Sequence, residues 1–164
     1  MSTTIEIKVS GDAQEYLGKV SNRGAVLPAV ARTLDDQNQL TVGHIFRRYV
    51  SFPSDSPVSQ TTLRTKTGGL RRSIRQSYPK ITGDGIVSAI GSNVEYAAIL
   101  EEGGTTAPHV ILPKRKKALA FGGRVYGKVN HPGSRITGRH FVRRGIEDRL
   151  NDYSSAIAST IIKL

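Results

Sequence analysis

Between Thr3 and Val9, Ile5, Ile7 and Val9 alternate with polar residues, the period-two pattern of a strand with one buried face. Gly11–Asp12 then reads as a turn, with Asp12 placed to cap a short helix through about Val20, and Asn22–Gly24 breaks it. A longer helix is predicted from near Pro28, where proline is tolerated in a first turn, to about Val50. Its apolar stripe is Val30, Leu34, Val42, Ile45, Phe46 and Tyr49. Ser51–Lys66 is rich in Ser, Thr and Pro, carries no periodicity, and reads as a long loop.

Further along, Gly69–Ser77 reads as a short helix, and Ser77–Ile81 and Gly85–Gly91 as strands joined at Thr82–Gly83–Asp84. Glu95–Glu101 has helical character and stops at Gly103–Gly104. Thr105–Lys117 reads as a second irregular stretch, with Pro108 and Pro113. Strands are predicted at Lys117–Phe121 and Arg124–Val129 around Gly122–Gly123, and a turn at His131–Pro132–Gly133. One helix is predicted from Arg139 to Leu164 along Phe141, Ile146, Leu150, Tyr153, Ile157 and Ile161. The expected architecture is a single α+β domain over 1–164, a small antiparallel sheet packed against two long helices. Long extended loops, at about 51–66 and 103–117, are expected to be mobile before assembly.

Composition narrows the chemistry. The chain has 164 residues, 37% of them hydrophobic, with 6% aromatic and no Trp, so the core is one of Val, Ile, Leu and Ala. No cysteine is present, which excludes disulfides, thiolate catalysis and Cys-ligated zinc. MSTTIEIKVSGD lacks the basic start and apolar run of a signal peptide, so a soluble, cytoplasmically made protein is expected, with no membrane partner.

The net charge of +11 is segmental. Residues 1–60 hold six basic and six acidic side chains, residues 61–145 sixteen basic and four acidic, and residues 146–164 two basic and three acidic. A middle segment of net +12 favours an anionic partner, nucleic acid or an acidic protein surface. The densest stretch is TLRTKTGGLRRSIR, with Arg64, Lys66, Arg71, Arg72 and Arg75 and no acidic residue; a second, KRKK, spans 114–117. Neither interleaves aromatics as single-strand readers do, apart from Phe121 beyond KRKK, and Leu70–Arg75 is too short to serve as a groove-reading helix. Sequence-specific nucleic-acid binding is therefore not expected, while nonspecific phosphate contact stays open.

No catalytic, cofactor or metal set emerges. Gly122-x-x-x-x-Gly127-Lys128 approaches a phosphate-binding loop, yet Val129 stands where the magnesium-binding hydroxyl belongs and no helix follows. Histidines 44, 109, 131 and 140 form no HxH or HxxxH pair. Glu95, Glu101 and Glu102 offer carboxylates, but neighbours on a helix point about 100° apart, so Glu101 and Glu102 share no focus. Ser73 and Ser77 have no His–Asp partners in the local sequence.

The order of several short stretches carries a resemblance. Thr67–Gly68–Gly69–Leu70 with Ser73–Ile74, then Val94–Glu95–Tyr96–Ala97 with Glu101–Glu102–Gly103–Gly104–Thr105, then His131–Pro132–Gly133 before Phe141, resemble the tail-completion or neck proteins of tailed bacteriophages. That group is also described as virion morphogenesis or minor tail components, and the likeness spans about residues 60–150. Two places depart from its pattern: EEGGTT is wider than the usual Glu-Gly-Thr ending, and RITGRH lacks a proline beside the aromatic.

The resemblance implies a non-enzymatic structural protein without cofactors, acting in the virion after assembly in the bacterial host. It would form a ring, commonly a hexamer, at the head–tail junction or the top of the tail. Partners would be further copies of itself, neighbouring neck, connector or tail-tube proteins, and genome DNA passing through without sequence-specific contact. On that reading the subunit interface draws on Arg64, Lys66, Arg71, Arg72, Arg75, Glu101, Glu102, Lys114, Arg115 and Lys116, with Glu101–Glu102 meeting Arg71–Arg72 of a neighbour. Ser51–Lys66 and Gly103–Lys117 would reach across and order on docking. A nonspecific nucleic-acid-binding protein is the alternative.

Overall fold

The computed structural model of the chain describes residues 3–9, 23–53, 59–64, 67–83, 85–114 and 117–163. The short helix expected over 12–20 lies outside them. The fold is α+β.

Strand β1 (Thr3–Val9) forms where the alternation predicts it and pairs antiparallel along its whole length with β4 (Gly85–Ser92), from Thr3↔Ser92 to Val9↔Ile86. The other edge of β4 carries two short strands in line, β2 (Ile74–Gln76) and β3 (Lys80–Thr82), both antiparallel to it. Pro79, which has no N–H to give a ladder, sits in the gap between them. One face of β4 is buried through Ile86, Ser88, Ile90 and Ser92.

Helix α1 (Arg23–Ile45) lies against that face and continues as one wider π-helical turn, Phe46–Val50. It starts five residues before the predicted Pro28, because Val26 extends the buried stripe of Val30, Leu34, Val42, Ile45 and Tyr49 at helical spacing. Burial of Val26 and Ala31 offsets the cost of a proline that no longer sits in the first turn. The π turn brings both Tyr49 and Val50 inward while Arg47 and Arg48 face solvent.

Asn38 and Thr41 are fully buried in the middle of the same stripe. Asn38 Nδ2 donates to Ser88 Oγ at 2.7 Å, Tyr153 OH donates to Asn38 Oδ1 at 2.7 Å, and Ser88 Oγ donates to the Ser77 carbonyl at 2.7 Å. This polar rung separates two apolar clusters: Val26, Val30, Leu34, Ile86 and Tyr153 on one side, and Val42, Ile45, Ile74, Ile90 and Phe141 among others on the other.

The helix expected over Gly69–Ser77 ends early. Helix α2 (Gly69–Ser73) gives way to β2, because Ile74 takes an extended conformation and pairs with Ser92. Gly68, at φ 70°, is the left-handed residue that starts α2, a position that favours glycine. Helix α3 (Ala97–Glu102) follows β4 as expected.

The single helix predicted over 139–164 is two, α4 (Phe141–Glu147) and α5 (Leu150–Ile162). The elbow at Asp148–Arg149 lets Phe141, Val142 and Ile146 join one apolar cluster and Tyr153, Ile157 and Ile161 the other. Asp148 Oδ2 fixes it to α1, accepting from Tyr49 OH at 2.6 Å and from His44 Nε2 at 2.8 Å. Those two bonds hold the Asp148 carboxyl below its ordinary range, the Tyr49 bond first. Burial, then the Asp148 bond, pushes the Tyr49 phenol up.

The expectation of an irregular stretch over 105–117 is corrected. Three ladders nest in one excursion of the chain: β5 (Gly103–Thr105) with β10 (Arg135–Thr137), β6 (His109–Ile111) with β9 (Val129–His131), and β7 (Leu119–Phe121) with β8 (Arg124–Tyr126). The register runs unbroken from Gly103↔Thr137 to Ile111↔Val129, and Thr106 N–H joins the Ser134 carbonyl at 2.9 Å between the first two ladders. The excursion is thus a β-hairpin arm with its tip at Gly122–Gly123. Lys114 and Lys117, the described residues of KRKK, lie between β6 and β7, opposite Gly127–Lys128. No helix among the described residues is long and apolar enough to cross a membrane.

Candidate functional site: a cationic arm and an arginine-rimmed groove

From Gly103 to Thr137 the arm holds seven Lys or Arg residues and not one Asp or Glu. Almost every described residue along 104–112 and 122–128 is exposed, and Val110, Leu112 and Val125 are 55%, 60% and 73% exposed. A two-stranded ribbon with little beneath it is marginal in water, so this arm has apolar and cationic surface still to cover.

Its root is stitched tightly. Arg139 N–H donates to the Leu100 carbonyl at 2.8 Å and His140 N–H to the Glu101 carbonyl at 3.0 Å. Gly103, at φ 82°, passes so close to Gly138 that a methyl group there would come within 2.6 Å of the Gly138 nitrogen. The Glu101 carboxylate completes the joint, accepting Val142 N–H and Arg143 N–H at 3.0 Å each.

That placement corrects one expectation. Glu101 is fully buried in its own chain and capping α4, so it cannot meet arginines of a neighbour. Glu102 is exposed, loosely paired with Arg143 at 3.7 Å. Glu101, Glu102 and His140 bring a potential ligand atom each within 4.8 Å of one another. The Glu101 oxygens are already engaged by the backbone, however, and Arg143 stands beside Glu102, so the local field opposes a cation.

The four described arginines of TLRTKTGGLRRSIR do come together. They rim two adjoining hollows between the end of α1, α2 and β2 that share Arg71 and together make up a groove. Its narrow end, about 170 Å³, is lined by Val50, Leu63, Leu70 and Leu100 and flanked by Arg64, Arg71 and Tyr96. Its wider end, about 510 Å³, lies over Val42, Phe46 and Ile74, with Arg71, Arg72 and Arg75 around it. Arg71 belongs to both ends and stacks on Phe46 at 5.5 Å. Leu63 N–H donates to the Tyr49 carbonyl at 2.7 Å, which holds the Arg64 side of the groove against the π turn. All four arginines are exposed, and among the described residues none has a carboxylate within ion-pair distance. Lys114 is exposed on the arm, while Lys66, Arg115 and Lys116 lie outside the described residues.

Other candidates resolve into folding roles. Ser73 Oγ bonds the Leu70 carbonyl and Ser92 Oγ, and Ser77 Oγ accepts Ala89 N–H. The Gly122–Lys128 stretch is the turn at the arm's tip followed by β8, with no helix after it, unlike a phosphate loop. His109 and His131, unpaired in sequence, face each other across β6 and β9 with rings stacked at 5.0 Å. Only the arm's register could have revealed that pairing.

No protein-family model matches the chain, and it matches no curated protein and no solved structure.

Proposed function

We propose that this chain is a structural assembly protein of a tailed phage, a ring component at the head–tail junction or the top of the tail that joins its neighbours and performs no catalysis. The arm carries the reading. An exposed, acid-free hairpin with apolar side chains on both strands is a poor element for a free monomer. It is a good one for a subunit whose neighbour covers it, since closed rings need each copy to present one surface to the next. The order of motifs described above is the second support, and the arginine groove beside the arm's root supplies an interface of matching sign for an acidic neighbour.

The test is electron microscopy of the purified protein, alone and mixed with tail tubes or DNA-filled heads. Rings, or particles completed only when the protein is present, are the expected result. Shortening the arm to a tight turn between Gly104 and Ile136 should abolish both while leaving the helical body folded.

The acid-free arm also favours the second reading, a nonspecific nucleic-acid-binding protein. That protein would bind duplex DNA as a monomer with a steep salt dependence. A gel shift at low salt, with no ring formed under any condition, would decide for it.

A further inference from the structure

We infer that the arginine-rimmed groove is a docking site for an acidic, amphipathic segment of a partner protein, one that seats an apolar side chain between Leu63, Leu70 and Leu100 and sets carboxylates against Arg64 and Arg71. This deepens the assembly reading and rests on it for where the partner is met, but the binding itself is testable without a particle.

Two features of the groove select that occupant. The rim is cationic: Arg64 and Arg71 flank the narrow end, Arg71, Arg72 and Arg75 the wider one, and no described carboxylate answers them. Arginine's planar fork suits carboxylates in pairs, and the stacking of Arg71 on Phe46 fixes that side chain before a ligand arrives. A partner with carboxylates therefore gains steering and register.

The narrow end is concave, and Val50, Leu63, Leu70 and Leu100 stand beside Thr67, Gly68 and Gly69 in its lining. At about 170 Å³ it resembles in size an engineered cavity of ~150 Å³ that accepts benzene. It thus suits one branched or aromatic side chain. A phosphate backbone would touch the rim and leave that cavity empty. Stacking platforms for bases are also few, since Tyr96 is the one aromatic at the narrow end and Phe46 is already under Arg71. Rim and lining together ask for a chain that alternates acid and hydrophobe.

The position adds a consequence. Of the residues that bound the groove, Tyr96 directly precedes α3 and Leu100 belongs to it, and Glu101, next in the chain, caps α4 at the arm's root. A segment docked here therefore abuts the arm's base, so one neighbour is able to hold both surfaces.

The measurement is fluorescence anisotropy with the full chain and three labelled probes: a short peptide of glutamates interspersed with Leu and Phe, an oligoglutamate of equal charge, and the first peptide with Gln in place of Glu. The mixed peptide is expected to bind roughly tenfold more tightly than either control. Arg64→Ala with Arg71→Ala should weaken it roughly tenfold, whereas Lys114→Ala with Lys117→Ala, the same charge loss on the arm, should not. All four positions are exposed, and circular dichroism of both variants checks the fold. Equal binding of oligoglutamate, an unchanged affinity in the Arg64/Arg71 variant, or displacement of the peptide by an equimolar DNA duplex overturns the proposal. The arm-shortened protein should still bind the peptide, so a failure to form rings and a failure of the groove read out separately.

Discussion

Glu101 and Val142, 41 residues apart in the chain, are joined by a buried hydrogen bond of 3.0 Å from the Val142 N–H to the Glu101 carboxylate, and Arg143 N–H takes the other oxygen. One side chain thus closes the start of α4 onto the end of α3 and fixes the two ends of the arm. Glu101→Ala leaves two backbone donors at a buried helix start without acceptors. A loss of about 3 kcal/mol or more is expected, since each of the two bonds to a charged group contributes about 1.5–3 kcal/mol. Glu101→Gln, which keeps one acceptor oxygen, should lose less. Urea unfolding checks both, and an unchanged midpoint for the alanine variant contradicts the capping role.

The rung across the core gives a second prediction. Tyr153→Phe removes the donor to Asn38 Oδ1 without changing the packing of the ring. The amide oxygen is then buried unpaired, for about 1–2 kcal/mol of lost stability. Asn38→Leu in the Tyr153→Phe background should recover part of that, because the buried acceptor goes too. Thermal melts of the two single variants and the double one measure the coupling; strict additivity would mean the rung does not act as a unit.

Asp148 makes stability depend on pH. Its carboxyl is held below its ordinary value by Tyr49 and His44, so the folded chain binds the proton more weakly than the unfolded chain. That contribution is fully present above the unfolded value of about 4 and is lost as pH falls through the lower folded value. Tyr49 and Tyr153 shift the other way, chiefly through burial, so theirs is present below about pH 10 and lost as pH rises past it. Melting temperature should therefore fall at both extremes. Asp148→Asn should flatten the acid limb and, because it removes one of the causes that raise Tyr49, soften the alkaline limb as well; an acid limb of unchanged steepness would assign it to other carboxylates.

What the sequence showed and hid follows one physical rule. β4 and the α1 stripe were legible because each buries one face, so Val30–Leu34 carries its own period, and β1 showed as the alternation of Ile5, Ile7 and Val9 with polar residues. Most of the arm is exposed, and no alternation marks Val110, whose partner strand lies about twenty residues away, whereas the tip strands around Val125 were legible from the Gly122–Gly123 turn between them. Asn38 hides for the opposite reason, being polar at a position where counting apolar residues sees a gap. The break at Asp148 is invisible because apolar residues fall at helical spacing on both sides of it, although they serve two clusters. For the site, the arginines of one short stretch came together because α2 and β2 follow each other directly, whereas the capping role of Glu101 needed a partner far along the chain.

The arm's exposure makes it the place where a protease should enter first. Trypsin needs a Lys or Arg in a segment that can open locally, and opening is cheapest where few apolar contacts are lost. Lys114 and Lys117 are exposed between β6 and β7, outside either ladder, while Arg149 is partly buried, hydrogen-bonded to Gln37 and paired with Asp152 at 3.0 Å. Limited digestion should therefore cut the free protein first within 114–117 and leave α1, α4 and α5 intact and associated. If a neighbour covers the arm in the ring, the same sites should be cut roughly tenfold more slowly in assembled material, where opening now costs the interface as well. Mass spectrometry of early fragments measures both rates. First cuts in α1 or at Arg149 would show that the body, and not the arm, is the weakest part of the fold, and equal cutting rates in ring and monomer would place the arm outside the subunit contact.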